Sequence, residues 1–188
     1  MLPVVLHTAR LELSIPTASD AQAIYDACQD PAIAHFTTVP APYLREYADE
    51  FVTQTAARWD ELSHATWAIR LDGALAGMIG LHDLRETGSA ELGFWVSAPA
   101  RGRGIAREAS EAVIEWGFSP EELELVRLEW RAAVGNIASA RTARALGFRF
   151  EGTLRSVLRN GHGERGDGWI ASLLATDDRT PQEWPIAL

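Results

Sequence analysis

The stretch AELGFWVSAPARGRGIAREA, Ala90 to Ala109, constrains this chain more than any other. Its first part alternates: Leu92, Phe94 and Val96 fall on one side of an extended strand, Glu91, Gly93 and Trp95 on the other. Its last part begins a helix whose apolar residues, Ile105, Ala109, Ala112, Val113 and Trp116, recur at helical spacing. Between them lies a turn with two glycines and two of the segment's three arginines. Such a strand–turn–helix unit makes one crossover. The next strand, LVRLEW, places Val126, Leu128 and Trp130 on one face.

The rest of the chain is not a repeating βαβ array. ARLELSIP reads as a first strand ending at Pro16, followed by a helix with Ser19 and Gln22 as its capping box and Ala21, Ile24, Tyr25 and Cys28 as its apolar side. A second helix spans about Tyr43 to Leu62, with Leu44, Tyr47, Phe51, Trp59 and Leu62 along one side. TWAIRL and ALAGMIGL form a hairpin about Asp72–Gly73, and the polar RETGS turn leads into AELGFWV. Ser119, Pro120 and Glu122 mark a short helix, and Asn136 to Leu146 a further one closed by Gly147. Two strands, near Phe148–Leu154 and Trp169–Leu174, finish the chain across a loop, RNGHGERGDG. The expectation is an α+β fold: seven strands, flanking helices and one central crossover, in a single domain over residues 1–188.

The turn has a physical use. The first N–H groups of a helix lack internal partners, and the helix dipole adds partial positive charge there. Gly102 and Gly104 let a ligand approach the backbone, and Arg101, Arg103 and Arg107 supply counter-charge in a protein of net charge −9. An anion such as a phosphate suits that turn. A dinucleotide fingerprint does not, because Arg107 stands where G-x-G-x-x-G needs a small residue. A solvated turn remains the plain alternative.

Composition narrows the partners. The acidic balance disfavours a nucleic-acid binder, and no apolar run approaches the ~20 residues of a membrane span. The N-terminal apolar run is too short for a secretory signal, so a cytoplasmic location is expected. A lone cysteine, Cys28, excludes a cysteine-based zinc cluster and reads as a core thiol; no metal site is expected. Trp67, Trp130 and Trp169 read as core.

VSAPARGRGIA fits V-x-x-x-x-R-x-x-G-x-A, with Val96, Arg101, Gly104 and Ala106 at the fixed positions, and resembles the acetyl-CoA pyrophosphate loop of the GNAT N-acetyltransferase superfamily. NIASARTARALGFRFEGTLR and the opening HTARLELSIPTASDAQAIYDACQDPAI resemble the branch that acetylates ribosomal-protein N-termini. The resemblance implies a mixed, largely antiparallel sheet with a central V-shaped splay, acetyl-CoA as cosubstrate, and an amine acceptor: a protein N-terminus or a small amine. A non-catalytic CoA sensor is the alternative. A monomer or a homodimer would serve.

The resemblance also implies site residues. Trp95 and Val96 would meet the pantetheine, with the Trp95 backbone as donor to the carbonyl oxygen. Arg101, Gly102, Arg103, Gly104, Ile105 and Ala106 would hold the phosphates, and Asn136 the cofactor. Ser139 would protonate the leaving thiolate. Glu91, sharing a face with Gly93 and Trp95, would accept the amine proton; His82 and Asp83 compete for that role. Each has a plainer reading: Glu91 as a surface carboxylate, Asn136 as a helix cap, Ser139 as a first-turn hydrogen-bonder. Arg141 and Arg144 read as solvated helix arginines and His162 as a solvated loop residue. Two departures from the branch are Ala171, where a tyrosine is common, and Leu158, near where some relatives carry an acid.

Overall fold

Alternating apolar residues and tight turns account for most of the sheet. The computed structural model describes residues 1–84 and 88–188. Strands β1 (Leu6–His7) and β2 (Leu11–Ser14) precede helices α1 (Ala21–Ala27), α2 (Pro31–Phe36) and α3 (Arg45–Asp60). A meander of β3 (His64–Leu71), β4 (Ala74–His82) and β5 (Ser89–Val96) follows. Then come α4 (Ile105–Phe118), β6 (Arg127–Ala133), α5 (Ile137–Ala145) and a hairpin of β7 (Arg149–Arg159) and β8 (Arg165–Leu174). The strand order is β1-β2-β3-β4-β5-β6-β8-β7. Every neighbouring pair is antiparallel except β5–β6, which the α4 crossover makes parallel.

The mixed α+β architecture agrees with the sequence reading, with local corrections. Among the described residues there are eight strands, not seven, because the chain before Thr8 adds the two-residue β1. The capping box lies two residues early: the Thr17 N–H donates to Asp20 Oδ2 at 2.7 Å. A helix absent from the reading, α2, is capped by Asp30, whose side chain accepts from the Ala32 N–H, with Pro31 in its first turn. The buried residues of α3 are Ala48, Thr55 and Trp59, whereas Leu44, Tyr47 and Leu62 are exposed. Residues 119–124 form turns rather than a helix, Val126 is exposed outside β6, and half of RNGHGERGDG is strand, its tip confined to 160–164. The Asp72–Gly73 turn has both residues at positive φ, 52° and 77°, as a tight hairpin requires. In the RETGS turn, Arg85, Glu86 and Thr87 lie outside the described residues.

Two apolar layers sandwich the sheet. The larger holds α4 and α5 against Leu81, Leu92, Leu128, Trp130 and Phe148. Trp67, Trp130 and Trp169 are buried in it, and Trp59 from α3 stands edge-on to Trp67 with ring centroids 5.0 Å apart. The smaller layer packs α1, α2 and α3 on Ala68, Met78 and Trp95; Cys28 is buried there, its thiol pushed up to about 12 by burial. No helix among the described residues is long and apolar enough to cross a membrane.

A buried ion pair fastens the α1–α3 layer. Arg70 on β3 donates to both carboxylate oxygens of Asp20 at 2.7 and 2.8 Å. The guanidinium holds the Asp20 carboxyl below the usual carboxylate range. Asp20→Asn leaves the half-buried Arg70 with only Glu12, 3.8 Å from Nε, as an acidic neighbour, and is expected to cost about 2 kcal/mol in urea unfolding. The depressed folded pKa means that this stabilisation is complete above pH ~4 and is lost as pH falls through the folded value. The steep acid limb of wild-type stability should therefore be shallower in the variant.

Candidate active site

The parallel ladder between β5 and β6 is short. It pairs Ser89, Ala90 and Glu91 with Arg127, Leu128 and Glu129 and then stops, although β5 runs on to Val96 and β6 to Ala133. The two strands part beyond Glu91 and leave a slot through the sheet. Backbone direction in the slot follows from the flanking bonds. Arg127 donates to the Gly88 carbonyl across the β5–β6 side, and Ser97 donates to Ala76 across the β4 side. With a period of two, the amides and carbonyls of Leu92, Phe94 and Val96 face the slot, and those of Glu91, Gly93 and Trp95 face β4. The Trp95 backbone is thus turned away from the position in which the sequence reading used it. The Trp95 ring packs on the α1–α3 layer.

The slot opens at its Val96 end onto the glycine turn. Gly102 and Gly104 adopt φ of 72° and 75°, and Gly104 starts α4 in a left-handed conformation. Alternating left-handed residues before a helix turn successive N–H groups to one side, which makes an anion nest. A Cβ at Gly102 would meet only open space; one at Gly104 would approach Arg10 Nη2 to 3.6 Å.

The turn is held from both flanks. Arg10 donates through Nη2 to the Arg103 carbonyl at 3.1 Å and through Nε to Glu108 Oε2 at 2.7 Å. Glu108 also accepts from the Arg10 N–H and the Thr8 hydroxyl. On the other side Arg101 Nε donates to the Val96 carbonyl at 3.0 Å, and its Nη2 pairs with Asp30 Oδ2 at 2.6 Å. Arg107 pairs with Glu111. The three arginines that read as a uniform counter-charge therefore differ: among the described residues, Arg103 alone lacks an acidic partner.

On the α1–α3 side of the slot, Glu91 lies directly across from His82 in the β4–β5 register. It is half-buried, with Arg131 Nε 3.6 Å from Oε2. Burial raises its pKa, the Arg131 charge opposes the rise, and Asp83 and Glu129 add to it. Glu129 occupies Arg131 more closely, at 2.7 Å, and also pairs with Arg127, which binds Glu151 through two nitrogens at 2.9 and 2.7 Å. Glu91 is thus the loosely held end of a charge ladder. His82 lies over Gly80 and Gly93, 5.0 Å from the His64 ring, and is driven down to about 4 mainly by burial. That pKa makes His82 a neutral imidazole of low basicity at pH 7.

Ser139 and Asn136 flank the slot on the α5 side. Asn136 Oδ1 caps α5 by accepting from the Ser139 N–H at 3.3 Å, as its plainer reading has it. The Ser139 oxygen accepts from Trp130 Nε1 at 2.9 Å, which leaves its proton to donate elsewhere. Arg141, Arg144 and His162 are exposed, and Ala171 is buried in the core opposite Trp130. The tip of the β7–β8 hairpin reaches the far wall: the Gly161 N–H donates to the Ala34 carbonyl at 2.7 Å, and Ala41 donates back to Gly161. A Cβ at Gly161 would sit 1.8 Å from the Val39 carbonyl oxygen, so only glycine fits. Arg10, Asp30 and Gly161 are invisible as site residues in the sequence because their partners are 71 or more positions away or lie across a segment that reads as loop.

Residues 10–149 match the acetyltransferase (GNAT) domain model. A Bacillus subtilis (strain 168) protein provisionally named ribosomal N-acetyltransferase YdaF is 34% identical over 60% of this chain and 61% of its own length. The structure of Mycobacterium smegmatis RimJ in complex with a CoA disulfide superposes with a TM-score of 0.83 at 20% identity, over 92% of this chain and 88% of that one. RimL, a ribosomal L7/L12 α-N-protein acetyltransferase in complex with coenzyme A, gives 0.81 at 18% identity over 91% and 98%. With a matched domain that spans the slot, the glycine turn and α5, the chain belongs to the GNAT acetyltransferase family.

Proposed function

We propose that this protein transfers the acetyl group of acetyl-CoA to the free α-amine of a protein or peptide N-terminus. The observation that carries the reading is the slot beyond Glu91, which offers the Leu92, Phe94 and Val96 backbone and ends at a glycine nest on α4. An extended pantetheine fits the strand edge, and a pyrophosphate fits the N–H groups of Gly102 through Ala106 with Arg103 beside them. The names of the related ribosomal-protein enzymes support the acceptor class.

The residues divide the chemistry as follows. Glu91 takes the proton that the amine loses as its nitrogen bonds to the acetyl carbon. The slot-facing N–H of Phe94 or Leu92 steadies the charge that grows on the acetyl oxygen, in the role first read for Trp95. Ser139, held by Trp130, gives its proton to the thiolate as the carbon–sulfur bond breaks. Asn136 spends Oδ1 on the helix cap, so a cofactor contact falls to its Nδ2. A modest base is sufficient for this acceptor. About a tenth of an N-terminal amine is neutral at pH 7, whereas a lysine amine is neutral roughly once in 2,500.

Thiol release with acetyl-CoA and peptides beginning Ser or Ala is expected with free N-termini and absent when these are blocked. Equal turnover of blocked peptides that carry a lysine would reject the N-terminal acceptor. Gly104→Glu forces a side chain into a left-handed position and adds a negative charge beside the phosphates. It is expected to raise the Kd for CoA by about a hundredfold or more in calorimetry. Glu91→Gln should lower kcat by roughly a hundredfold near pH 6.5, where the amine arrives protonated, and less at higher pH. The wild-type rate should fall on the acid side at a pH above the ordinary carboxylate range, because burial raises Glu91. An unchanged pH–rate profile in the variant would remove Glu91 as the base.

A further inference from the structure

Arg101 occupies the arginine position of the phosphate-loop motif, yet its guanidinium does not project over the glycine nest. Nε is taken by the Val96 carbonyl at 3.0 Å and Nη2 by Asp30 Oδ2 at 2.6 Å. Asp30 Oδ2 is buried and accepts no hydrogen bond among the described residues, so the Arg101 charge 2.6 Å away is what offsets the burial of that oxygen. The other carboxylate oxygen, Oδ1, accepts the Ala32 N–H and caps α2. One aspartate thus starts a helix and ties that helix to the cofactor turn.

The far end of α2 is tied as well. Its Ala34 carbonyl accepts from Gly161 at the hairpin tip, and the segment after it returns a bond from Ala41 to the Gly161 carbonyl. Gly161 is fitted so closely to the Val39 carbonyl that the tip has one seat. Ile33 of α2 packs in the layer that also holds Met78 and Trp95, on the sheet face that carries Glu91. A six-residue helix therefore spans from the cofactor turn to the β7–β8 hairpin and walls the face from which an amine would reach Glu91.

We infer that Arg101 and Asp30 are positioning residues for the acceptor: their ion pair seats α2, and through Gly161 the hairpin tip, on the turn that binds the donor. This inference rests on the acetyltransferase reading and deepens it. It assigns Arg101 to the acceptor wall and leaves the phosphates to the backbone nest and Arg103.

Asp30→Asn is the informative change, because asparagine keeps the helix cap while the charge is lost. Arg101→Gln removes the other partner. At saturating acetyl-CoA, each is expected to raise the KM for a free hexapeptide beginning with Ala by about fivefold, with kcat little changed. The Kd for CoA should stay within about twofold. The double variant should be no worse than either single one, and amide exchange at Ala41 and Gly161 should quicken in all three. A tenfold or greater loss of CoA affinity in Arg101→Gln, with peptide KM and exchange unaltered in Asp30→Asn, would return Arg101 to the phosphates and overturn the inference. Absence of turnover with any free peptide by the wild type would instead reject the proposed acceptor, and CoA affinity and amide exchange would still decide the tie.

Discussion

The separation of β5 from β6 after Glu91 is the constraint on which the rest of the structure depends. A parallel pair normally continues its ladder for the length of the shorter strand, and here three register positions pair before the strands part. Backbone groups left free in a sheet interior are costly unless something satisfies them. The slot-facing amides and carbonyls of Leu92 and Phe94, and the Val96 N–H, are therefore a local cost; the Val96 carbonyl is met by Arg101 Nε. The sheet tolerates the opening because each strand is paired on its other side, β5 with β4 and β6 with β8 along its whole length.

Both sides of the opening are then put to separate use. On the α4–α5 side, the buried Trp130 directs its indole N–H to Ser139, so a core residue orients a hydroxyl at the slot. On the α1–α3 side, Glu91 sits at the end of a ladder of alternating charges, which consumes Glu129 and Arg127 in mutual pairing and leaves Glu91 only a distant arginine. Desolvation then sets its basicity. In the proposed reaction the donor and acceptor groups meet at one strand because Glu91 projects to one face of β5 while Ser139 approaches from the other.

Much of this was readable locally. The alternation of AELGFWV put Glu91 and Trp95 on one face and Leu92 and Phe94 on the other, and the structure has them so. Gly102, Gly104 and Gly147 were placed in turns by their positions next to helical periodicities, and all three adopt positive φ. The elements that the sequence leaves out or cuts short lack a local signal. A six-residue helix such as α2 has too few turns to show a periodicity, and the start of β8, residues 165–167, is so exposed that its pattern resembles a loop. The β7–β8 tip was read as a glycine-rich loop because Gly161 owes its identity to a carbonyl from residue 39, not to a neighbour.

Sequence by itself determined most of the elements, the two faces of β5 and the glycine turn, since these follow from side-chain period and backbone freedom within a few residues. Tertiary structure alone decided the partners of the charges. Arg101, Arg103 and Arg107 are equivalent in a string of letters; in space one faces Asp30, one stays without an acidic partner among the described residues, and one pairs along its own helix with Glu111. Which backbone amides of β5 remain free was likewise settled by the neighbours of that strand. A hydrogen-bonding direction belongs to a sheet, and a pair such as Arg101–Asp30 to two chain segments, so neither is a property of any single stretch of residues.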